Sequence, residues 1–202
     1  MLNELIERYP MLEAIRDDIA KAADMMYETY EKGGKILLCG NGGSCADCDH
    51  IVGELMKGFL QMRPLDESKL EKFADRDKFK QLQGGIPAIS LPSQSALLTA
   101  FINDVDPELM YAQLTYGYAR KNDLLIGLST SGNSKNVVNA VIAAKAAGIK
   151  TLALTGSKDS KLSELCDCTI KAPGTETYKI QELHLPIYHF LCAETEAHFF
   201  ER

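Results

Sequence analysis

The sequence predicts an α/β protein, a three-layer αβα sandwich built on a five-stranded parallel sheet. Five short apolar runs of strand length occur along the chain, and a loop and a helical pattern follow most of them. Strands that alternate with helices pair in parallel and carry helices on both faces of the sheet. The five runs are residues 36–39, 88–91, 124–128, 151–154 and 168–170.

Two further segments stand outside this alternation. Residues 1–32 predict extra N-terminal helices, a short one and a longer one separated at Pro10. Residues 63–83 are strongly charged and predict a helical insertion, interpreted most simply as one or two solvated helices or a mobile flap. A lid over the neighbouring site is the alternative for this segment. With 202 residues in all, we interpret residues 1–202 as a single domain.

Composition argues against several classes of protein. The chain has 22 Lys and Arg against 28 Asp and Glu, a formal net charge of −6, whereas nucleic-acid-binding proteins usually carry a basic stripe. No run approaches the roughly 18 apolar residues of a membrane span, and the N-terminus has no signal-peptide pattern. We therefore expect no nucleic-acid or membrane partner, a cytoplasmic location, and six cysteines that are reduced thiols.

Two loops predict a ligand cleft at the carboxyl edge of the sheet. Gly-Asn-Gly-Gly-Ser at 40–44 follows the first strand, and Ser-Thr-Ser-Gly-Asn-Ser at 129–134 follows the third. Glycines let backbone N–H groups approach a ligand, Ser44 is a suitable helix N-cap, and hydroxyls at a helix N-terminus suit a phosphate monoester. Either loop alone is explained as a well-capped turn, but two at one edge favour a binding site. Neither is a Walker A or GxGxxG motif, so nucleotide cofactors are not expected.

Two helices carry side chains that suit acid–base chemistry or metal binding. His50 and Glu54 are four residues apart and therefore project from one face of the helix after the first loop. Gln181 and His189 are eight residues apart, about 80° around the last helix, so they can face the same side. Together the four form a nitrogen and oxygen ligand set for Zn²⁺ or a similar ion. The same residues can act as general acid and base without a metal.

Other candidates are better explained by packing. His184 and His198 are each expected to be hydrogen-bonded, partly buried rings. Cys45 and Cys48 have the CxxC spacing of redox and zinc sites, but the sequence has no second pair with ligand spacing. We therefore expect neither a structural zinc nor a thioredoxin-like role for the cysteines.

Taken together, these motifs resemble the phosphosugar isomerases of the sugar isomerase (SIS) domain superfamily, which has a flavodoxin-like fold. CGNGGS at 39–44 and STSGNS at 129–134 identify the superfamily. The pairs His50/Glu54 and Gln181/His189 are similar to those of its phosphoheptose isomerase branch. The resemblance covers nearly the whole chain. The sequence departs from the family pattern in two places. One is the insertion 63–83, and the other is Tyr178, where many members have an acidic residue.

The resemblance implies an aldose–ketose isomerase, with sedoheptulose 7-phosphate as substrate and D-glycero-D-manno-heptose 7-phosphate as product. It implies that Glu54 moves a proton between C1 and C2 through an enediol and that His189 is its acid–base partner on the opposite side. An enediolate also needs stabilisation of its oxyanion, which a divalent metal or loop N–H groups supply. The zinc ligands that the resemblance implies are His50, Glu54, Gln181 and His189.

The resemblance also implies how the substrate is held and how chains assemble. Members of this family are homotetramers in which more than one chain builds each active site. The residues implied to bind the sugar phosphate are Asn41, Gly42, Gly43, Ser44, Asn103, Asp104, Ser129, Thr130, Ser131, Ser134 and Gln181.

A non-catalytic SIS module that binds a sugar phosphate or a protein partner is the alternative function. Such a module needs the phosphate loops and the oligomer, but it needs neither Glu54 nor His189. A lyase or etherase that uses the same acid–base pair is a third hypothesis. The joint presence of Glu54 and His189 favours the isomerase.

Overall fold

A parallel sheet forms the centre of the molecule. The computed structural model describes residues 1–200, and within them the sheet has five strands in the order β2-β1-β3-β4-β5, every neighbouring pair parallel. This confirms the predicted fold class. The strands are β1 (Ile36–Gly40), β2 (Ala88–Ser90), β3 (Leu124–Leu128), β4 (Lys150–Gly156) and β5 (Cys168–Ala172).

Helices connect the strands and precede the first of them. Short 3₁₀ segments cover Pro10–Ile15 and Leu91–Ser93, so Pro10 opens the turn that separates the first two helices. None of the helices among residues 1–200 has the length and apolar character of a membrane span. The α-helices are α1 (Leu2–Arg8), α2 (Arg16–Glu31), α3 (Gly43–Met56), α4 (Glu67–Leu70), α5 (Arg76–Phe79), α6 (Ser95–Asp104), α7 (Met110–Tyr118), α8 (Lys135–Ala146), α9 (Lys161–Leu165) and α10 (Thr177–Phe200).

Alternation along the strands divides the core into two layers. In β1, Ile36 and Leu38 face one side and Leu37 and Cys39 face the other, because successive side chains of a strand point to opposite faces. The first layer packs against α1, α2, α3 and α10, and the second against α6, α7, α8 and α9. Both faces are thus covered, which explains why the central strands β1 and β3 are continuously apolar rather than alternating with polar residues.

The order of the strands reverses between β1 and β3. These two strands pair directly, with Gly40 opposite Leu128, and the chain leaves their carboxyl ends in opposite directions to α3 on one face and α8 on the other. A crevice opens at such a switch point, and ligands of open parallel sheets bind there. The two predicted loops follow these two strands, so the topology brings them together.

The charged segment 63–83 lies at the amino edge of the sheet, away from the two loops. The Ile86 N–H donates to the Leu55 carbonyl at 2.9 Å, which places the end of α3 beside the start of β2. The segment contains α4 and α5, and a bridge between Pro64 and Gln83 closes its base. A lid over the two loops of the same chain does not fit this placement, because the segment leaves and returns at the opposite edge.

A buried ion pair anchors this segment to the last helix. The side chains of Arg63 and Glu196 are 0% and 1% exposed, and the Arg63 Nε donates to Glu196 Oε1 at 2.7 Å. Glu196 also accepts the backbone N–H groups of Phe59 and Leu60, both at 2.7 Å. Burial acts to raise the pKa of Glu196, but these hydrogen bonds and the guanidinium outweigh it and hold the pKa below its ordinary value.

The other guanidinium nitrogens of Arg63 bind the end of α3. Arg63 Nη1 donates to the Leu55 carbonyl at 2.7 Å and Nη2 to the Glu54 carbonyl at 3.1 Å. The last four carbonyls of a helix have no partner within it, so a buried helix end needs such donors. One arginine therefore joins the end of α3, the loop that follows it and α10.

We expect that Arg63→Met destabilises the protein by roughly 3–5 kcal/mol, because Glu196 then remains buried without its cation. Urea unfolding at a fixed protein concentration measures the loss. Arg76→Met is the matched control, since Arg76 lies in the same segment and pairs with Glu67 on the surface. This control should cost at most about 1 kcal/mol. Equally small losses in both variants would contradict an anchoring role for Arg63.

Candidate active site

Two asparagines join the loop after β1 to the helix after β3. Asn41 Nδ2 donates to Asn136 Oδ1 and Asn136 Nδ2 donates back to Asn41 Oδ1, both at 2.9 Å. Asn136 lies in the first turn of α8, directly after the serine-rich loop. The reciprocal amide pair therefore holds the two sides of the crevice in one relative position. Sequence reasoning identified Asn41 and missed Asn136.

The loop at 129–134 gathers hydroxyl groups in front of α8. Ser129 Oγ lies 2.9 Å from Ser134 Oγ and 3.5 Å from Ser131 Oγ. Gly132 has a φ of +64°, and a Cβ there would lie 2.1 Å from Ser160 Oγ, so the turn requires glycine. Ser134 is the N-cap residue of α8 and its side chain does not cap that helix, which leaves the N–H groups of Lys135 and Asn136 available to an anion, while that of Val137 donates to Asn136 Oδ1.

The loop at 40–44 packs against the start of α10. A Cβ on Gly43 would lie 2.6 Å from Gln181 Nε2, so the side chain of Gln181 lies directly against the backbone of this loop. Gly42, with a φ of +57°, is the N-cap residue of α3. The prediction that Ser44 caps this helix is wrong. Gly42 makes the turn that L side chains disfavour, so the helix begins at Gly43 and Ser44 is buried in its first turn.

His50, Glu54 and His189 meet between α3 and α10. His50 Nε2 lies 3.1 Å from Glu54 Oε1 and 3.4 Å from His189 Nε2, so His50 stands between the other two. The rings of His50 and His189 are nearly perpendicular, with centroids 5.0 Å apart. Phe59 packs against the outer side of His189 at 5.5 Å between centroids. The structure thus brings together three of the four predicted ligands.

Two residues that sequence reasoning missed lie behind His50. Tyr188 Oη is 3.0 Å from His50 Nδ1 and donates to Asp47 Oδ1 at 3.2 Å. Burial raises the pKa of the Asp47 carboxyl and also that of the Tyr188 hydroxyl. The sequence offers only a weak indication of these two residues. Asp47 is three residues before His50 and Tyr188 is next to His189, but only packing of α3 on α10 makes them neighbours.

The histidines differ in their environment. Burial lowers the pKa of His189, and the neighbouring ring of His50 acts in the same direction, so His189 is a neutral imidazole at neutral pH. His184 is 0% exposed, with Nε2 3.1 Å from the Thr155 carbonyl, and burial lowers its pKa to about 4. His198 is exposed and stacks on Tyr27. His184 and His198 are therefore packing or surface residues, away from the cluster of His50, Glu54 and His189.

Asn103 and Asp104 are not brought to the crevice. Both are exposed at the end of α6, where Asn103 Nδ2 donates to Asp104 Oδ1 at 2.7 Å. The apolar side chains of Ile102 and Val105 beside them are 44% and 64% exposed. Among residues 1–200, neither side chain hydrogen-bonds to the two loops or to the histidine cluster.

The donor set of the cluster fits zinc in chemistry, and two of its distances are compatible with a zinc site. Zinc binds imidazole nitrogen and carboxylate oxygen at about 2.0–2.2 Å, so neighbouring donors of a tetrahedral site lie about 3.3 Å apart. The distances of 3.1 and 3.4 Å from His50 agree with this value. Among residues 1–200, however, no three His, Cys, Asp or Glu side chains converge on one point, and Gln181 lies against Gly43. The side chains would have to turn to converge on a metal.

Comparison with known families identifies the domain. One SIS domain family matches residues 89–191, and a second SIS domain family matches residues 2–85. The two matches together take in both loops, α3 and most of α10.

Comparison with curated relatives shows which family of SIS domain proteins the chain belongs to. A phosphoheptose isomerase from Nitratiruptor sp. is 38% identical over 201 residues, which is 98% of this chain and 97% of that protein. One from Aliarcobacter butzleri is 37% identical over 90% of this chain and 86% of that protein. The chain belongs to the phosphoheptose isomerase family.

Solved structures of phosphoheptose isomerases have the same architecture as this family member. The enzyme from Neisseria gonorrhoeae superposes with a TM-score of 0.78 at 28% identity, over 96% of this chain and 94% of that one. The enzyme from Francisella tularensis also gives 0.78, at 29% identity over 93% and 90% of the two chains. The likeness extends over the N-terminal helices as well as the sheet.

Proposed function

We propose that this chain is an aldose–ketose isomerase that converts sedoheptulose 7-phosphate to D-glycero-D-manno-heptose 7-phosphate. Membership of the phosphoheptose isomerase family supports the substrate. The observation that carries the chemistry is that His50 Nε2 lies within 3.4 Å of both Glu54 Oε1 and His189 Nε2. The same chain holds a hydroxyl-rich loop at a helix N-terminus. A carboxylate beside imidazoles supplies a base and an acid near neutral pH.

The phosphate is proposed to bind in the loop at 129–134. Ser129, Thr130, Ser131 and Ser134 would hold its oxygens together with the free N–H groups of α8. This explains how a chain with a net charge of −6 binds an anion, because hydroxyls and a helix N-terminus are local donors. The sugar is proposed to lie along the sequence Asn41, Gly42, Gly43 and Ser44, with Gln181 opposite it.

Isomerisation is proposed to proceed by proton transfer between C1 and C2. Glu54 would take the proton from C1 while His189 protonates the oxygen on C2, which gives an enediol. His189 would then recover a proton from the oxygen on C1 as Glu54 returns one to C2. The lowered pKa keeps His189 a neutral imidazole near pH 7, so the proton that it gives to the oxygen on C2 has to be balanced by the one that it recovers from the oxygen on C1.

Zinc is a further part of the proposal. His50, Glu54, Gln181 and His189 would hold it after their side chains turn toward one point, and the donor types of the cluster support this. When bound, the metal would act as a Lewis acid that stabilises charge on the sugar oxygens. The proton transfers remain those of Glu54 and His189.

We also propose a homotetramer in which more than one chain completes each site. Along α3, His50 lies about 10 Å from Gly43, so the crevice and the histidine cluster are separate within one chain. Asn103 and Asp104 are exposed beside exposed Ile102 and Val105, which supports contact of this pair with sugar hydroxyls in a neighbouring chain's site.

All six cysteines are free, which supports a cytoplasmic location. A purely binding module would not need the cluster of His50, Glu54 and His189.

We expect Glu54→Gln to lower kcat by at least about 100-fold, because the amide cannot accept the proton from C1. An aldose–ketose conversion assay across sugar phosphates of five to seven carbons measures it. Glu28→Gln is the control, since Glu28 pairs with Lys32 on the surface of α2 and should leave turnover unchanged. Unchanged turnover in Glu54→Gln, or no turnover of any of these sugars by the wild type, would refute the proposal.

We expect Asn136→Ala to weaken binding of sedoheptulose 7-phosphate by up to about 30-fold, because two hydrogen bonds of roughly 1 kcal/mol each no longer hold Asn41. Calorimetric titration of the folded protein measures the affinity. Asn139→Ala is the matched control: Asn139 lies one turn further along α8 and donates to the Glu108 carbonyl instead. If Asn136→Ala binds as the wild type does, or if Asn139→Ala weakens binding equally, the amide pair does not position the loop.

A further inference from the structure

A tyrosine hydroxyl lies buried between His50 and a carboxylate. Tyr188 is 2% exposed, and its Oη is 3.0 Å from His50 Nδ1 and 3.2 Å from Asp47 Oδ1. The other carboxylate oxygen, Asp47 Oδ2, is buried and has no hydrogen-bond partner within residues 1–200. The three groups form a chain that leads from the interior to the edge of the histidine cluster.

The direction of the hydrogen bonds follows from counting protons. A carboxylate only accepts hydrogen bonds, and the hydroxyl of Tyr188 has one proton to donate. Asp47 Oδ2 already has no donor. If Oδ1 also lacked the Tyr188 proton, the whole carboxylate would be buried without a hydrogen bond, at the full desolvation penalty. Tyr188 therefore donates to Asp47. Its oxygen is then an acceptor toward His50, and His50 must donate from Nδ1.

We propose that Asp47 and Tyr188 are positioning residues that fix His50 in the tautomer with its proton on Nδ1 and a lone pair on Nε2. The use of this tautomer rests on the proposed function. With the lone pair on Nε2, His50 presents an acceptor to Glu54 Oε1 at 3.1 Å and to His189 Nε2 at 3.4 Å. Glu54 Oε1 and His50 Nε2 are then two acceptors that face each other, and such a pair requires a shared cation, either a proton or a metal ion.

The opposite tautomer would work against the proposed chemistry. With its proton on Nε2, His50 would donate to Glu54 Oε1 and occupy the oxygen that is proposed to take the proton from C1. It would also have no lone pair on Nε2 for a metal. Asp47 and Tyr188 act on Glu54 only through His50, since neither forms a hydrogen bond with Glu54 within residues 1–200.

Nitrogen-15 NMR of histidine-labelled protein reads this tautomer directly. The sequence has four histidines, and His50→Gln identifies the signals of His50. In the wild type without added metal we expect the neutral His50 ring to carry its proton on Nδ1. In Tyr188→Phe, which keeps the ring and removes the hydroxyl, we expect the proton to move to Nε2. Asp47→Asn should give a mixture, because its amide can both donate and accept.

Tyr30→Phe is the matched control. Tyr30 is partly buried and donates to the Gly85 carbonyl at 3.3 Å, so this variant also loses one hydroxyl hydrogen bond while His50 is untouched. It should keep the wild-type tautomer. A His50 ring that carries its proton on Nε2 in the wild type, or that keeps it on Nδ1 in Tyr188→Phe, overturns the inference.

Zinc titration separates this inference from the proposed function. If zinc binds the wild type, Tyr188→Phe should bind it about 10- to 100-fold more weakly, and Tyr30→Phe should bind it as the wild type does. Equal zinc affinity of Tyr188→Phe and the wild type would overturn the positioning role. If the wild type binds no zinc, the metal part of the proposed function fails. The NMR result still decides which nitrogen of His50 carries the proton.

Discussion

The buried pair of Arg63 and Glu196 sets how α3 lies against α10. Arg63 binds the last carbonyls of α3, and Glu196 on α10 accepts both this arginine and the backbone of the intervening loop. Two desolvated charges tolerate little displacement, because each would be left without its partner in the interior. The acid–base cluster depends on this constraint, since Glu54 belongs to one of these helices and His189 to the other.

The crevice between β1 and β3 is held by different means. Its loops leave neighbouring strands of the sheet, and the amide pair of Asn41 and Asn136 joins them. The proposed phosphate site and the proposed proton-transfer groups therefore rest on separate supports, a sheet edge and a pair of helices. This separation suits a substrate whose phosphate is distant from the reacting carbons C1 and C2. It also explains how the segment 63–83 can lengthen the chain without entering the crevice.

Much of the site could be predicted because its residues are close in sequence. A spacing of four places His50 and Glu54 on one helix face, and the two loops follow strands that the apolar runs already indicate. Asn136, Asp47 and Tyr188 could not be found in this way. Tyr188 is 141 residues from Asp47, and nothing in either local pattern indicates that they touch. The N-cap predicted at Ser44 failed for a local reason, the left-handed conformation of Gly42.

By itself the sequence determined the α/β sandwich, the loops at the sheet edge and the types of group available for chemistry. These follow from the period of apolar residues and from the conformational freedom of glycine, which are properties of short segments. Only the tertiary structure decided that His50 stands between Glu54 and His189 and which of its nitrogens faces them. Those features depend on distances of about 3 Å between distant segments, and only packing of whole helices sets such distances.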